Sequence, residues 1–454
     1  MTAISEVALI AGALAALVAA ALTLPGVVRV LLIAQAIYWG MSYVARPIVL
    51  LWVRPDPRFG DNIADPRLAR LGYGPGLELV LQPVVFGLWL YAGVIVAYAV
   101  WARSRRTEPT PRILDDPVFV PTLWALYALG TLARLAAVAT GSAGQAGEVE
   151  SASPVLSLAA TLATVGAVGL IVFARPVRAG APAALILVLM AGELWWTVSI
   201  ESKTPIMGAA LAVAVRFALT GWTRRKIAAI TVLSVAGVGG FGWLQSLKAT
   251  PFLRAESAAT DAAYPPAVQP FLSLLRRFDL LEAATDAAHR GPSSWLSAGE
   301  VAQHAVLSLI PGQLLGVEKF QSGTAWASEV RGASVDMSQI SVSLAEGNVN
   351  EGYVLAGYPG VALGVLFTAA LLLAWSRAIY ARNLVVVVMA VALIEVPVVF
   401  ERGMLGSVET VGKYLQTIVL VVAVYFVVAA VRTDRVPAPA PRTAPVLSAG
   451  RKHP

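Results

Sequence analysis

The stretch RRFDLLEAATDAAHRGPSSW, residues 276–295, decides how this chain must be organised. It belongs to the polar region 245–352, the only long part of the sequence that is not mainly apolar, and hydrophobic runs flank that region. Long ordered loops are commonly functional. We therefore expect the hydrophobic runs to form a platform in a membrane and the 245–352 region to cover a site at the membrane surface.

The composition indicates an integral membrane protein. Of the 454 residues, 57% are hydrophobic and 13% are charged, whereas soluble domains have about 25% charged and about 45–50% apolar residues. The sequence has no cysteine, which excludes disulfides and thiolate ligands or nucleophiles. The net charge of +7 comes largely from short loops between hydrophobic runs. We attribute it to orientation in the membrane instead of nucleic-acid binding.

Eleven segments are apolar enough to be membrane-spanning helices, since about 20 apolar residues cross a bilayer. The predicted spans are 6–24, 27–53, 77–102, 117–139, 154–174, 181–200, 204–220, 227–244, 353–375, 384–400 and 407–431. The first has no basic residues before it and is interpreted as a retained helix. The prediction is an all-α polytopic protein with helices in 1–244, an extracytoplasmic loop in 245–352, helices in 353–431 and a disordered tail in 432–454.

Lysine and arginine residues orient these spans. Five basic clusters fall on one side of an eleven-span protein: Arg103, Arg105, Arg106 and Arg112; Arg175 and Arg178; Arg224, Arg225 and Lys226; Arg377 and Arg382; and Arg432, Arg435, Arg442, Arg451 and Lys452. The positive-inside rule makes that side cytoplasmic. We therefore expect a cytoplasmic-membrane protein with the 245–352 loop outside and the C-terminus inside.

Charged side chains inside spans are costly and are therefore candidates for function. The sequence places five of them there: Arg46, Arg134, Glu193, Glu395 and Lys413. For Arg134, Glu193 and Glu395, pairing inside the helix bundle is the alternative interpretation. Arg216 lies near the predicted cytoplasmic face, where its long side chain can reach the interface, so it is given no role.

Basic residues also occupy the predicted outer side, against the positive-inside trend. They are Arg54, Arg58, Arg67, Arg70, Lys203, Arg276, Arg277 and Arg402. Guanidinium groups match phosphate oxygens with two parallel hydrogen bonds. As a set, these residues suggest a site for an anionic, lipid-linked headgroup such as a diphosphate. For any single arginine, the alternative is a pair with a neighbouring acid or a lipid headgroup.

Signatures of several other classes are missing from the sequence. It contains neither the Gly-x-x-x-x-Gly-Lys-Ser/Thr run of ATP-binding loops nor a His-Glu-x-x-His zinc motif. His289, His304 and His453 are too scattered for a zinc cluster. The two halves show no inverted repeat of broken helices, which weakens a transporter interpretation. We therefore expect no metal, no cofactor and no nucleic-acid partner.

Five segments together resemble a known enzyme family. The first is Glu201-Ser202-Lys203-Thr204-Pro205, and the second is Arg277-Phe278-Asp279-Leu280-Leu281. The third is Leu309-Ile310-Pro311 followed by Glu318-Lys319. The fourth runs from Ser341-Val342-Ser343 through Glu346 and Asn350-Glu351-Gly352-Tyr353 to Gly357 and Gly360, and the fifth is Phe400-Glu401-Arg402-Gly403. In this order and on the predicted outer face, they are similar to the Wzy-type oligosaccharide repeat-unit polymerases. The resemblance covers about residues 195–410. The sequence departs from the family pattern at Phe320, where the family has a proline after the loop lysine.

The resemblance implies a GT-C-like fold and a metal-independent glycosyltransferase. Such enzymes join polyprenyl-diphosphate-linked repeat units at the outer face of the cytoplasmic membrane, into a cell-surface polysaccharide. A hydroxyl of the incoming unit attacks the anomeric carbon of the growing chain, and the lipid diphosphate leaves. Arginines stabilise the departing diphosphate, and a base takes the hydroxyl proton. The resemblance also implies chain-length regulator and flippase proteins as partners.

The expected roles fall into three groups of residues. The diphosphate-binding candidates are Arg277, Arg402, Lys203, Arg276, Arg46 and Arg54. The favoured base is Glu351, followed by Asp279, Glu401 and His304; the sugar-stacking candidates are Tyr353, Trp326 and Trp295. For Glu351 the alternative is a carboxylate that favours a helix N-terminus. For His304 it is a place on the polar face of a surface helix, and for the aromatic residues ordinary interfacial anchoring.

Other functions remain open at the level of sequence. A ligase, or a lipid-dependent glycosyltransferase that adds one unit, would use the same arginines. A flippase for lipid-linked glycans would need charges along a path through the bundle, as Arg46, Arg134, Glu193 and Glu395 would supply. The concentration of polar residues outside the spans argues against that path, and the large charged loop argues against a purely structural scaffold.

Overall fold

A computed structural model gives the three-dimensional structure. It describes residues 2–58, 61, 63–103, 110–143, 154–174, 181–200, 202, 204–233, 237, 240, 260–293, 295–310, 320–337, 343–395 and 401–433. The described part of the chain is helical and contains no strand. The predicted all-α class is therefore confirmed for these residues.

Fourteen helices position the parts of the molecule discussed below. They are α1 (Ala3–Thr23), α2 (Gly26–Val53), α3 (Pro66–Leu71), α4 (Tyr73–Arg103), α5 (Phe119–Ala139), α6 (Pro154–Phe173), α7 (Ala181–Ser199), α8 (Thr204–Leu219), α9 (Leu272–Arg277), α10 (Leu280–Arg290), α11 (Ala298–Ser308), α12 (Asn348–Ala378), α13 (Leu384–Glu395) and α14 (Met404–Thr433). The segment 322–333 forms one further irregular helical stretch.

Seven of these helices are long and apolar enough to cross a membrane: α1, α2, α4, α5, α6, α12 and α14. Three shorter apolar helices, α7, α8 and α13, coincide with three more of the predicted spans. The eighth predicted span, 227–244, falls mostly outside the described residues, although 224–233 are helical. The chain is thus a polytopic membrane protein by the length and composition of its helices.

The helix α2 contains a widened turn next to a proline. Pro47 has no backbone N–H to donate within the helix, and the π-helical turn Met41–Ala45 directly precedes Arg46 and Pro47. Such turns often occur at functional positions. Here the turn presents the hydroxyl of Tyr43 to Asn350, whose side-chain nitrogen donates to it at 3.3 Å.

The segments predicted on the same side of the membrane lie at the same end of the helices. At one end, Tyr380 accepts a hydrogen bond from the backbone of Val27 at 3.2 Å, and Tyr425 donates to Asp116 at 2.8 Å. At the other end, Arg67 of the first outer loop is 2.7 Å from Asp286 of the large loop. The first predicted outer loop and the large loop are therefore in contact.

A buried ion pair joins the middle helices of the bundle. The guanidinium of Arg134 on α5 donates to both carboxylate oxygens of Glu193 on α7, at 2.8 and 3.0 Å, and also to Thr164 on α6. The ring of Trp196 lies 5.0 Å from this guanidinium. Pairing inside the bundle, the alternative interpretation for Arg134 and Glu193, is confirmed, while the side chain of Glu395 lies outside the described set.

Two other basic residues of the spans have local partners. Arg216 donates to the backbone carbonyls of Ile171 and Ala174, at 2.8 and 2.9 Å, and is buried. It therefore caps the C-terminal end of α6, where the last carbonyls lack helical partners, instead of reaching into the interface. Lys413 is exposed and lies 2.9 Å from Glu409, one helical turn away on α14.

Breaking the Arg134–Glu193 pair is expected to destabilise the bundle. Glu193→Leu leaves a buried guanidinium unpaired, which costs about 3–5 kcal/mol. The double variant Arg134→Met/Glu193→Leu removes both charges and is expected to recover most of that loss. Thermal unfolding in detergent measures both variants. Equal stability of Glu193→Leu and the unsubstituted protein would contradict the prediction.

The helix α12 is a tight hairpin and not one straight span. Ala356 and Gly357 have non-helical backbone angles, and the φ of Gly357 is +62°, which glycine adopts without strain. The arms before and after this break pack antiparallel at backbone contact. A Cβ added to Gly360 would lie 2.0 Å from the carbonyl oxygen of Gly352, and one on Gly364 would lie 2.5 Å from that of Asn348.

This hairpin corrects the predicted span 353–375. The arm that follows Gly357 is about 30 Å long at 1.5 Å per residue, which matches a bilayer. Asn348 packs against Gly364, seven residues beyond the break, and therefore lies about 10 Å below the hairpin turn. The end of the large loop, just before Asn348, thus lies inside the bundle. From there the chain rises to the hairpin turn, which lies at the outer end of the spanning arm.

A side chain at Gly360 is expected to open the hairpin. The Cβ of Gly360→Val would overlap the backbone of Gly352, and overpacking of this kind costs about 1–3 kcal/mol. The matched control is Gly93→Val on α4, where an added Cβ meets nothing within 4 Å. Thermal unfolding should show a loss for Gly360→Val alone, and equal curves for the two variants would refute the hairpin contact.

Candidate functional site

The centre of the candidate site is a carboxylate with two donors. Glu401 lies 2.9 Å from the guanidinium of Arg277, and the hydroxyl of Tyr38 donates to the same carboxylate oxygen at 2.7 Å. The backbone carbonyl of Glu401 accepts from Gly347 at 2.9 Å. The start of the large loop, its end and the segment before α14 therefore meet at one point, and we call these four residues the Glu401 cluster.

The Glu401 cluster lies well inside the length of the bundle. Tyr38 is roughly halfway along α2, about 18 Å from the helix start at a rise of 1.5 Å per residue. The depth of the α12 hairpin leads to the same place, because Gly347 precedes the recessed Asn348. The site is therefore recessed, whereas the sequence led us to expect a site at the membrane surface.

A second arginine occupies the position next to Glu401. Arg402 donates to Glu346 at 3.4 Å and to the backbone carbonyl of Leu344 at 3.5 Å. Glu346 is fully buried and also accepts from Ser322 at 2.9 Å. Burial raises the pKa of Glu346, although Arg402 opposes that rise. The positive charge of Arg402 therefore favours the ionised form of Glu346, which burial disfavours.

The favoured base of the sequence, Glu351, acts as a helix cap. Its carboxylate accepts from the backbone N–H groups of Met404 and Leu405, the first residues of α14. It is 1% exposed, and a Cβ on Gly403 would lie 2.4 Å from its carboxyl carbon. The alternative interpretation is thus supported, with the difference that Glu351 caps α14 and not its own helix. Both oxygens are engaged, so we do not propose Glu351 as the base.

Asp279 has a different environment from that of the other carboxylates. It follows Arg277 by two residues and is partly buried, and its Oδ1 accepts no hydrogen bond from the part of the chain that the structure describes. Burial raises the pKa of Asp279, and the nearby charges of Arg277 and Arg46 only partly counter that effect. Asp279 is therefore a stronger base than an ordinary aspartate.

The other predicted diphosphate ligands are not all brought to the Glu401 cluster. Arg46 is buried, 4.0 Å from Glu282, and donates to the carbonyl of Ile63. Arg276 instead pairs with Asp261 and Asp61, at 2.6 and 3.6 Å. Arg54 is exposed at the end of α2. Lys203 is outside the described residues.

The predicted sugar-stacking tryptophans belong to the core of the large loop. Trp326 is fully buried and donates to Asp286 at 3.1 Å. Trp295 meets Trp326 edge to face with ring centres 5.7 Å apart, and it donates to Glu329 at 2.7 Å. Burial leaves neither ring a face for a sugar, so the stacking role is withdrawn for both. Tyr353 is partly exposed and remains a candidate.

His304 lies on α11 and has an aromatic partner. Its ring stacks on Phe320 with centres 4.1 Å apart and an interplanar angle of 16°. Phe320 is the position at which the sequence departs from the Wzy-type pattern. This stacking gives His304 a structural partner and supports the alternative interpretation, in which it lies on a face of a surface helix.

A buried ion network joins Asp65 and Arg67 to the large loop, and the sequence did not reveal it. Asp286 on α10 binds Arg67 at 2.7 Å and Arg331 at 2.9 Å, and Arg331 also binds Glu282 at 2.9 Å. Arg67 is further held by Asp65. Burial opposes ionisation of Asp65, but the hydrogen bonds from Arg67 outweigh it and lower the pKa of Asp65. Arg67, Asp286 and Arg331 are far apart in the sequence, so nothing in the sequence indicated that they pair.

The chain matches no protein-family model, no curated protein and no solved structure. The chemistry of the site is therefore the basis for proposing a function.

The side chains of Arg277 and Arg402 are 30% and 27% exposed, so an anion can approach both. Attraction by Glu401 raises the pKa of Arg277 above its already high usual value. Both groups can thus offer permanent positive charge beside recessed carboxylates.

Proposed function

We propose that the chain is a polymerase that joins polyprenyl-diphosphate-linked oligosaccharide repeat units into a cell-surface polysaccharide. The reaction would take place at the outer face of the cytoplasmic membrane. The observation that carries the proposal is that the large loop meets the segment 401–402 at two arginine–carboxylate pairs. Arg277 binds Glu401, and Arg402 binds Glu346. Both guanidinium groups are partly exposed at a recessed position, where a lipid-anchored anion would be held.

The chemistry of a departing diphosphate fits these two arginines. Each can exchange its carboxylate partner for phosphate oxygens and form paired, charge-assisted hydrogen bonds. Donors fixed before the reaction stabilise charge that develops on the leaving group without the cost of reorganisation. Tyr38 and Gly347 keep Glu401 in place when Arg277 turns to the ligand.

The positions of the Wzy-like segments support the same function. Three of the five meet at the site: the one beginning at Arg277, the one containing Glu346 and Gly360, and the one containing Arg402. In the segment that contains Glu346, Gly352, Gly357 and Gly360 form the hairpin. This hairpin places the end of the large loop below the outer end of the spanning arm. The segments with Lys203 and Lys319 each lie partly outside the described residues, and neither lysine is among the described ones.

A reconstitution experiment tests the proposal. The substrate is the lipid-linked repeat unit extracted from cells that lack this chain, and the purified protein is supplied in nanodiscs without nucleotide and with a metal chelator. A ladder of products on a gel supports the polymerase. A single addition would favour a ligase or single-addition glycosyltransferase. Movement of the substrate across a liposome membrane without reaction would favour a flippase and overturn the proposal.

A further inference from the structure

Three carboxylates beside the arginines already serve the architecture. Glu351 accepts two backbone N–H groups of α14. Glu346 accepts from Ser322 with one oxygen and from Arg402 with the other. Glu401 accepts from both Tyr38 and Arg277. Protonating any of the three would weaken a contact that holds the site together, so they are poorly suited to exchange a proton in every cycle.

Asp279, near Arg277 and Glu401, has a carboxylate oxygen that accepts no hydrogen bond from a described residue. Its Oδ1 is buried, and no described residue donates to it. An unsatisfied buried oxygen is unfavourable, and one that persists in a folded protein calls for an explanation such as a catalytic role. Phe278, between Arg277 and Asp279, packs edge to face on Tyr38 with ring centres 4.7 Å apart. This contact anchors the Arg277–Asp279 segment at the Glu401 cluster.

We propose that Asp279 is the general base that accepts the proton of the acceptor hydroxyl. The assignment rests on the proposed function. An Asp279 oxygen takes the proton, and the hydroxyl oxygen forms the new bond to the anomeric carbon of the donor. The bond from that carbon to the diphosphate oxygen breaks, and its electron pair stays with the diphosphate, which Arg277 binds. The proton on Asp279 then passes to water, and the single displacement inverts the anomeric centre.

The charges around Asp279 suit this task. The charged and titratable groups that act on it from the packed elements are Arg277, Arg46, Glu401, Glu282, Arg331, Tyr43 and Tyr38. Burial raises the pKa of Asp279, and Arg277 and Arg46 limit the rise. A base works best when its pKa approaches the working pH. Because the base must be deprotonated, the rate should rise with pH through a pKa above that of an ordinary aspartate.

The test compares Asp279→Asn with Asp279→Glu and with a matched control, Asp261→Asn. Asp261 belongs to the same loop, and its side chain is 37% exposed. General-base catalysis contributes about 10²- to 10⁴-fold, so we expect Asp279→Asn to slow polymer formation by that factor. Binding of the lipid-linked unit, measured by quenching of tryptophan fluorescence in nanodiscs, should stay within threefold. Asp279→Glu should retain part of the rate with a shifted acid limb, and Asp261→Asn should be unaffected.

The outcomes separate the base from the function. Ladder formation by Asp279→Asn within tenfold of the unsubstituted rate would overturn the base assignment and leave the polymerase standing. Loss of binding together with rate in both Asp279 variants would make Asp279 a positioning residue, which also overturns the assignment. Retention of the anomeric configuration in the product would do the same. If the unsubstituted protein makes no ladder from the same extract, the proposed function falls first and the base with it.

Discussion

Arg277→Ala and Arg402→Ala should each reduce polymer formation by at least about 10²- to 10³-fold, the loss typical when one fixed donor to a developing negative charge is removed. Each variant should still be expressed and inserted, because both side chains are partly exposed and belong to segments between the membrane spans. Arg277→Lys keeps the charge but not the two parallel donors. An intermediate rate is therefore expected. Gel ladders from membranes of cells that carry each variant measure the effect.

The matched control for these variants is Arg290→Ala. Arg290 is exposed at the end of α10 and bonds Ser293 at 3.1 Å, so its loss removes an arginine of the same loop without touching the Glu401 cluster. It should leave the ladder unchanged. Normal long-chain polymer from both Arg277→Ala and Arg402→Ala would refute the diphosphate-binding role of this site.

Asp286→Ala should produce the largest loss of stability in the outer loops. Asp286 is fully buried and is the common partner of Arg67 and Arg331, and it also accepts from Trp326. Removing it leaves two buried guanidinium groups short of a partner, and breaking one buried pair costs about 3–5 kcal/mol. Limited proteolysis of the large loop and thermal unfolding in detergent should both detect the change.

The control for Asp286→Ala is Asp261→Ala, which removes one of two acidic partners of Arg276 and a side chain that is 37% exposed. Because Arg276 keeps Asp61 at 3.6 Å, this variant should lose much less stability than Asp286→Ala. Equal protease resistance of Asp286→Ala and Asp261→Ala would show that the network does not hold the first outer loop to the large loop.

The motifs chosen from the sequence contain the residues of the candidate site but did not indicate the role of each one. Arg277, Arg402, Glu401 and Asp279 were all candidates from sequence, and the structure pairs Arg277 with Glu401, the residue before Arg402. The order of preference among the carboxylates as candidate bases changed, because it depends on which hydrogen-bond donors contact each carboxylate in the structure. Glu351 was favoured as the base for its position beside a span, and only the packing of α14 against it shows that it is a cap.

The amino-acid sequence by itself determined that this is a helical protein with several membrane-spanning segments, and it predicted which of the described loops share an end of the bundle. Hydropathy and basic charge suffice for this, because a bilayer acts on each segment according to its own composition. The tertiary structure alone decided the pairing of Arg277 with Glu401, the burial of Trp326 and the depth of the site. These features depend on contacts between residues far apart in the chain. Local composition is the same whether such residues meet or not.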